Sequence, residues 1–189
     1  MAGDILRPLR ATLGFAPELL LRAQGIAAAI FDVDGVLTDG RLWFGPGGEA
    51  LKVFHSLDGH GIKMLCASGV RVALLSGRRS DAVAARAAEL GIEHVLQGAE
   101  PKLGHYEALV AELGLRPEQT GYMGDELVDL PVLARCGLAC TVVEAPAEVR
   151  SRAHFVPGAS AGAGAAREAC EFVMRSQGTF SRALEGYLA

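Results

Sequence analysis

Short apolar runs alternate with longer amphipathic stretches along most of the chain. "IAAAIF", Ile26 to Phe31, is apolar throughout and reads as a strand buried on both faces. "VRVALLS" (70–76), "HVLQ" (94–97), "TGYMG" (120–124) and "LACTVV" (138–143) read as further strands, and "HFV" (154–156) as a last short one. The stretches between them have helical spacing: "SDAVAARAAELG", "PKLGHYEALVAELG" and "ELVDLPVLARCG". "APELLLRAQG" is a short helix that Gly25 stops, Asp58 opens a helix through about Ser68, and "GAAREACEFVMRSQG" is a closing helix with a tail, about 165–189. "GRLWFGPGGEALKVFHS" has two β-rich arms around Pro46-Gly47-Gly48 and predicts a hairpin at about 40–55. Strands alternating with helices predict an α/β fold, a doubly wound, mostly parallel sheet with helices on both faces. "PGASAGAGAA" reads as a loop, and no internal repeat is visible.

At 189 residues the chain accommodates one domain, and its composition is that of a globular protein: 50% hydrophobic, 21% charged. A net charge of -4 offers no basic field for nucleic acid or an anionic membrane. Cys66, Cys136, Cys140 and Cys170 show no CxxC spacing, which suits a reducing compartment. Asp4, Arg7 and Arg10 interrupt the N-terminal stretch where a signal peptide needs an apolar core, and no apolar run is long enough to span a membrane. The expectation is a soluble cytoplasmic protein.

In a doubly wound sheet, ligands bind beyond the carboxyl ends of the strands. Four such ends carry polar residues. After the first strand come Asp32 and Asp34, which lie on one side if the strand runs on. Two like charges so close are costly unless a cation or a proton relieves them. A calcium loop starting at Asp32 fails, because Val36 and Leu37 stand where an oxygen ligand and a glycine are needed. "LLSGRRSD" ends a strand at Ser76, turns at Gly77 and reaches a helix cap at Ser80 or Asp81, an arrangement able to cradle a phosphate. "AEPKLG" puts Lys102 in a first helical turn, where the dipole disfavours a cation unless an anion lies nearby. "GYMGDELVD" crowds Asp125, Glu126 and Asp129 at a helix start, with Asp125 a good N-cap. Each feature alone is explained by capping or solvation. Together, in order, they supply a nucleophile, an acid/base, two phosphate holders and a site for a hard cation, for which Mg²⁺ is expected.

These residues resemble the four motifs of the haloacid dehalogenase superfamily: "DVDG", "LLSGR", Lys102 and "GDELVD". "FDVDGVLTDG", "FHSLDGHGIK", "SGRRS", "LGIEHVLQG" and "GDELVDLPVL" further resemble its 3-deoxy-D-manno-octulosonate 8-phosphate phosphatases, which act in lipopolysaccharide precursor synthesis. Two departures are Glu126, where an aspartate is commoner, and "SAGAGAARE" in place of a glycine- and arginine-bearing segment. The resemblance implies that Asp32 attacks phosphorus to form an aspartyl-phosphate, while Asp34 first donates and then accepts the proton. It places Mg²⁺ on Asp32, the backbone carbonyl of Asp34 and Asp125, with Ser76 and Lys102 on the phosphate oxygens. Asp129 then orients Lys102 or a metal-bound water.

Between Asp39 and Ser76 there is room only for the hairpin and one helix, and between Ser76 and Lys102 for one helix and one strand, so no cap domain fits. The hairpin carries Leu42, Trp43, Phe44, Leu51, Val53 and Phe54 on both faces, where a hairpin wet on one side alternates more cleanly. The resemblance implies a homotetramer in which hairpins and tails seal neighbouring sites. Substrate contacts expected for a phosphorylated sugar acid are Asp34, His55, Asp58, Lys63, Gly77, Arg78, Arg86 and Lys102, the cations because they suit a carboxylate; His60 is a further candidate, and Asp58 also reads as a cap of its own helix. Alternatives are a phosphatase of a nonulosonate 9-phosphate, a protein phosphatase and a non-catalytic module of the same fold.

Overall fold

The structure, a computed structural model, describes residues 14–188. Asp4, Arg7 and Arg10, on which the reading of the N-terminus rests, lie outside them. In chain order the elements are α1 (Pro17–Gln24), β1 (Ala28–Phe31), β2 (Trp43–Gly45), β3 (Gly48–Leu51), α2 (Ser56–Ala67), β4 (Arg71–Ser76), α3 (Asp81–Leu90), β5 (His94–Gln97), α4 (Lys102–Glu112), β6 (Thr120–Met123), α5 (Leu130–Leu133), β7 (Leu138–Cys140), α6 (Ala147–Arg150), α7 (Ala165–Ser176) and α8 (Phe180–Glu185).

Five strands form one sheet in the order β5-β4-β1-β6-β7, and every pairing is parallel. β1 is central. Its four residues are buried because strands and helices cover it on all sides, which is why the run carries no polar residue. From β1 the chain builds outward through β4 to β5, then returns to place β6 on the other flank of β1. The order reverses there, and the crevice beyond the strand ends at such a reversal is where ligands bind. Helices flank the sheet: α2 packs on α7, which also meets α1, while α4 packs on α5. No helix among the described residues is long and apolar enough to cross a membrane.

Expectations about the second half of the chain, and one about Asp58, are corrected in detail. The "HFV" segment makes a single bridge, Phe155 to Cys140, and its phenyl ring stacks on Phe172 with centroids 4.4 Å apart. The stretch 126–137 is not one helix. It begins with a tight turn, Leu127–Asp129, because Asp129 folds inward to accept hydrogen bonds from Asp125 N and Glu126 N, and α5 follows. Asp125 is not the cap of this segment; Glu126 is, accepting from Leu127 N at 2.6 Å.

The last concerns Asp58. α2 starts two residues earlier, at Ser56, and its cap is His55, whose Nδ1 accepts from Leu57 N at 3.1 Å. Asp58 is 2% exposed, and its carboxylate accepts from Gly164 N at 3.2 Å and Arg167 N at 2.8 Å, the open N–H groups at the start of α7. It caps a helix, but one more than a hundred residues away, where a negative charge also suits the dipole. Burial raises its pKa despite these bonds. A carboxylate so enclosed is not free to meet a substrate. Asp58→Ala is therefore expected to destabilise the protein by about 2–3 kcal/mol, since it orphans two buried donors. Urea unfolding measures the loss, and the kcat for a small phosphate ester at a temperature where the variant is folded should stay at the wild-type value.

Candidate active site

The carboxyl ends of β1, β4 and β6 and the loop after β5 open into one cleft of about 310 Å³, lined by Asp32, Asp34, Ser76, Gly77, Arg78, Lys102, Asp125 and Glu126 among others. The four motifs, spread over roughly a hundred residues, meet there. Sheet register does this: Phe31 pairs with Met123 and Asp32 N donates to Met123 O at 2.9 Å, so β1 and β6 end together and Asp32 and Asp125 emerge side by side.

Lys102 holds the floor. It is 5% exposed, and its Nζ lies 2.6 Å from Asp32 Oδ2 and 2.6 Å from Asp129 Oδ1. These two carboxylates are the anions that a lysine in a first helical turn calls for. Burial alone would lower the Lys102 pKa, but Asp32 and Asp129 outweigh it and leave the ammonium above its ordinary value. Tyr122, fully buried on β6, donates to Asp129 Oδ1 at 2.5 Å and lies 3.4 Å from Lys102 Nζ. Asp129 Oδ2 accepts from Asp125 N and Glu126 N, each at 3.0 Å. Both oxygens of Asp129 are thus occupied within the protein, one of them by Lys102.

Asp32 is 6% exposed. Its Oδ1 accepts from Val33 N at 2.7 Å and its Oδ2 from Lys102. Burial raises its pKa to about 6 against the pull of Lys102. Asp125 is raised to about 7, by burial and then by the charges of Asp32 and Asp129. Asp125 Oδ1 is buried with no hydrogen-bond partner. Oxygens of Asp32, Asp125 and Asp129 lie within 4.8 Å of one another. Three carboxylates face one internal cation, an orphaned oxygen points among them, and every donor is oxygen. This set fits a hard divalent ion such as Mg²⁺. Gly35 shapes the same spot. With φ of +80° it turns the chain where a Cβ would stand 2.0 Å from Asp125 Oδ2.

Asp34 stands apart from that cluster. Its Oδ1 accepts from Lys52, and Arg78 Nε lies 3.8 Å from its Oδ2. Ser76 is 2% exposed, its hydroxyl accepting from Arg78 N at 3.3 Å. Of the sequence candidates for substrate contact, Asp34, Gly77, Arg78 and Lys102 line the cleft. His55, Lys63 and Arg86 do not. Arg86 is paired to Glu89 at 2.7 Å and lines a separate groove with Lys52, Phe54 and Ser56. Lys63 and His60 line another, beside Thr179, Arg182 and Tyr187. Lys52 and Tyr122 were not singled out in the sequence. A lone lysine in an apolar arm was the available signal for the first, while a tyrosine in a buried strand reads as ordinary core.

Comparison with known proteins agrees with this geometry. A family model described as haloacid dehalogenase-like hydrolase matches residues 46–137, which include Ser76, Lys102 and Asp125. The chain is 42% identical over 162 residues to 3-deoxy-D-manno-octulosonate 8-phosphate phosphatase KdsC of Yersinia pestis, covering 86% of this chain and 87% of that one. Among solved structures it is similar to the Moraxella catarrhalis 3-deoxy-D-manno-octulosonate 8-phosphate phosphatase in complex with magnesium ion, phosphate ion and KDO. That match has 33% identity and a TM-score of 0.88, with 90% and 98% of the two chains covered. The cobalt-bound deoxy-D-mannose-octulosonate 8-phosphate phosphatase of Haemophilus influenzae is 42% identical, with TM-score 0.81 and 83% and 92% covered.

The fit of the acidic cluster to a cation yields a test that needs no turnover. Mg²⁺ at about a hundred times its dissociation constant should stabilise the wild-type protein by about 2.7 kcal/mol. At pH 8 the metal-free Asp125→Asn variant should melt higher than metal-free wild type, because one repelling carboxylate is gone, and added Mg²⁺ should scarcely shift it. Thermal melts with EDTA and with Mg²⁺ measure both effects.

Proposed function

The chain belongs to the haloacid dehalogenase-like hydrolases, and from that premise we propose that it hydrolyses 3-deoxy-D-manno-octulosonate 8-phosphate to the free sugar acid and phosphate, with Mg²⁺ as cofactor. The observation that carries the reading is the convergence of Asp32, Ser76, Lys102 and Asp125, each from its own strand end, on one cleft. The names of the relatives supply the substrate.

Asp32 is the nucleophile in this reading. Its Oδ1 is turned by Val33 N and its Oδ2 by Lys102, so the carboxylate is presented in one orientation. The P–O bond to the sugar breaks as the Asp32–phosphorus bond forms, and Asp34 gives its proton to the departing alkoxide oxygen. Water then attacks the aspartyl-phosphate, Asp34 takes the proton, and phosphate and free Asp32 result. Lys102 and the Ser76 hydroxyl face the phosphate oxygens and offset the charge that develops on them. Asp32, the Asp34 backbone carbonyl and Asp125 would hold Mg²⁺, which when bound supplies positive charge against the phosphate and the crowded carboxylates. Arg78, 42% exposed at its side chain and stacked 5.6 Å from the Phe44 ring, is free at the mouth to meet the sugar acid's carboxylate.

A panel of phosphorylated sugar acids with Mg²⁺ tests the reading. Phosphate release from 3-deoxy-D-manno-octulosonate 8-phosphate should lead the nonulosonate 9-phosphates by about tenfold or more in kcat/KM. EDTA and Asp32→Asn should each abolish it. A preference for the nine-carbon substrates would reassign the sugar while leaving the chemistry.

The same proposal extends to a homotetramer with sites at subunit boundaries. Its support is the hairpin, where Trp43, Phe44, Leu51 and Val53 are each about half exposed or more in the single chain. Covering each is worth roughly 1.5–3 kcal/mol. Trp43→Glu or Val53→Asp should lower the light-scattering mass from four subunits towards one. It should cost more activity on the sugar phosphate than on p-nitrophenyl phosphate, which needs only the cleft of one chain.

A further inference from the structure

Lys52 follows β3 directly, between the exposed side chains of Leu51 and Val53, yet its own side chain is 2% exposed. Its ammonium donates to Asp34 Oδ1 and lies 3.3 Å from Glu49 Oε2, an ionic approach without hydrogen-bond alignment. Glu49 in turn accepts from the Ser80 hydroxyl at the head of α3. Ser80 N donates to Gln97 Oε1, at the end of β5, at 2.6 Å. The Ser80 bond, and after it the Lys52 charge, hold the Glu49 carboxyl below the usual range. A continuous chain of polar contacts therefore runs from the sheet, through the hairpin, to Asp34. A buried ammonium is stable only while its partners stay in place, so this chain also fastens the hairpin.

Asp34 has no comparable second anchor. Arg78 approaches it at 3.8 Å from a side chain that is 42% exposed. Lys52 itself does not line the cleft. We infer that Lys52 is a positioning residue: its ammonium, fixed by Glu49, sets the orientation of the Asp34 carboxylate and couples hairpin docking to proton transfer. This rests on the phosphatase reading above. A general acid or base must come within about 2.6–3.2 Å of the atom it serves. A displacement of about 1 Å costs up to about a hundredfold.

The test separates orientation of Asp34 from loosening of the whole site. Lys52→Met keeps the length and apolar stem and removes the ammonium. Glu49→Gln keeps an acceptor for Ser80 and removes the charge that steadies Lys52. The full-length protein is mixed rapidly with p-nitrophenyl phosphate and Mg²⁺. The p-nitrophenolate departs without needing a proton, so transfer to Asp32 is independent of Asp34, whereas hydrolysis of the aspartyl-phosphate depends on it. Lys52→Met is expected to release a burst of about one p-nitrophenolate per site and then turn over about 30-fold more slowly than wild type. Its kcat/KM for this ester should stay within about threefold, while kcat/KM for a sugar phosphate, whose alkoxide needs the proton, should fall about 30-fold. Glu49→Gln should shift both quantities the same way by about fivefold, and it decides the matter alone if circular dichroism shows Lys52→Met unfolded. Unchanged turnover, or burst and turnover falling together, overturns the role of Lys52. A wild-type protein without hydrolysis that depends on Mg²⁺ and Asp32 overturns the phosphatase reading itself, and this inference with it.

Discussion

A single ammonium organises the molecule. Lys102 Nζ sits in the interior with one carboxylate from the end of β1 and another from the turn after β6, each at 2.6 Å. An isolated charge in that position would be prohibitive, and a pair with one member removed leaves a buried charge uncompensated. Residues 32, 102 and 129 must therefore arrive together, and they do so only if β1 is central, β5 lies to one side and β6 to the other. The sheet order, the α4 start and the inward fold of Asp129 are three views of one constraint. Tyr122 and the backbone of Asp125 and Glu126 complete it by filling the remaining lone pairs of Asp129.

That constraint leaves the site with too much negative charge. Asp32, Asp125 and Asp129 face one internal cation, and burial with mutual repulsion lifts Asp32 to about 6 and Asp125 to about 7. Nothing in folding favours this crowding. Gly35 brings the backbone against Asp125 where any side chain would prevent it. A protein optimised for stability alone would put an amide or an apolar residue at 125. The arrangement makes sense under the proposed function, where a divalent ion would offset the acids and Lys102 and Ser76 would meet a phosphate.

The centre of the parallel sheet was legible because β1 and most of β4 are buried, and physics then demands the apolar runs that "IAAAIF" and "VALL" display. The four polar strand ends were legible for the complementary reason: charge at the mouth of such a run needs an explanation that core packing does not provide. Asp58 was misread because a capping carboxylate looks the same whichever helix it caps, and Gly164 and Arg167 are distant in sequence. The stretch after Asp125 was read as one helix because its spacing is helical; the inward pull on Asp129 tightens the first turn. Lys52 offered only the faint signal of a lone lysine in an apolar arm, because two exposed apolar neighbours do not say which partner the residue between them meets.

The hairpin connects these observations. One side of it is fastened inward through Lys52 and Glu49, and the other presents Trp43, Phe44 and Val53 to solvent. A mobile cap would need a weak inner contact and a hinge. Here the inner contact is an ion pair whose ammonium is almost fully buried, and lifting the hairpin would break its pairing with Asp34, leave the Asp34 carboxylate without that cation, and break the Glu49–Ser80 bond. The hairpin is thus held as a fixed element against Asp34. Under the proposed function, whatever covers the exposed apolar side would bear on the cleft through the same hairpin, because Lys52 ties that hairpin to Asp34.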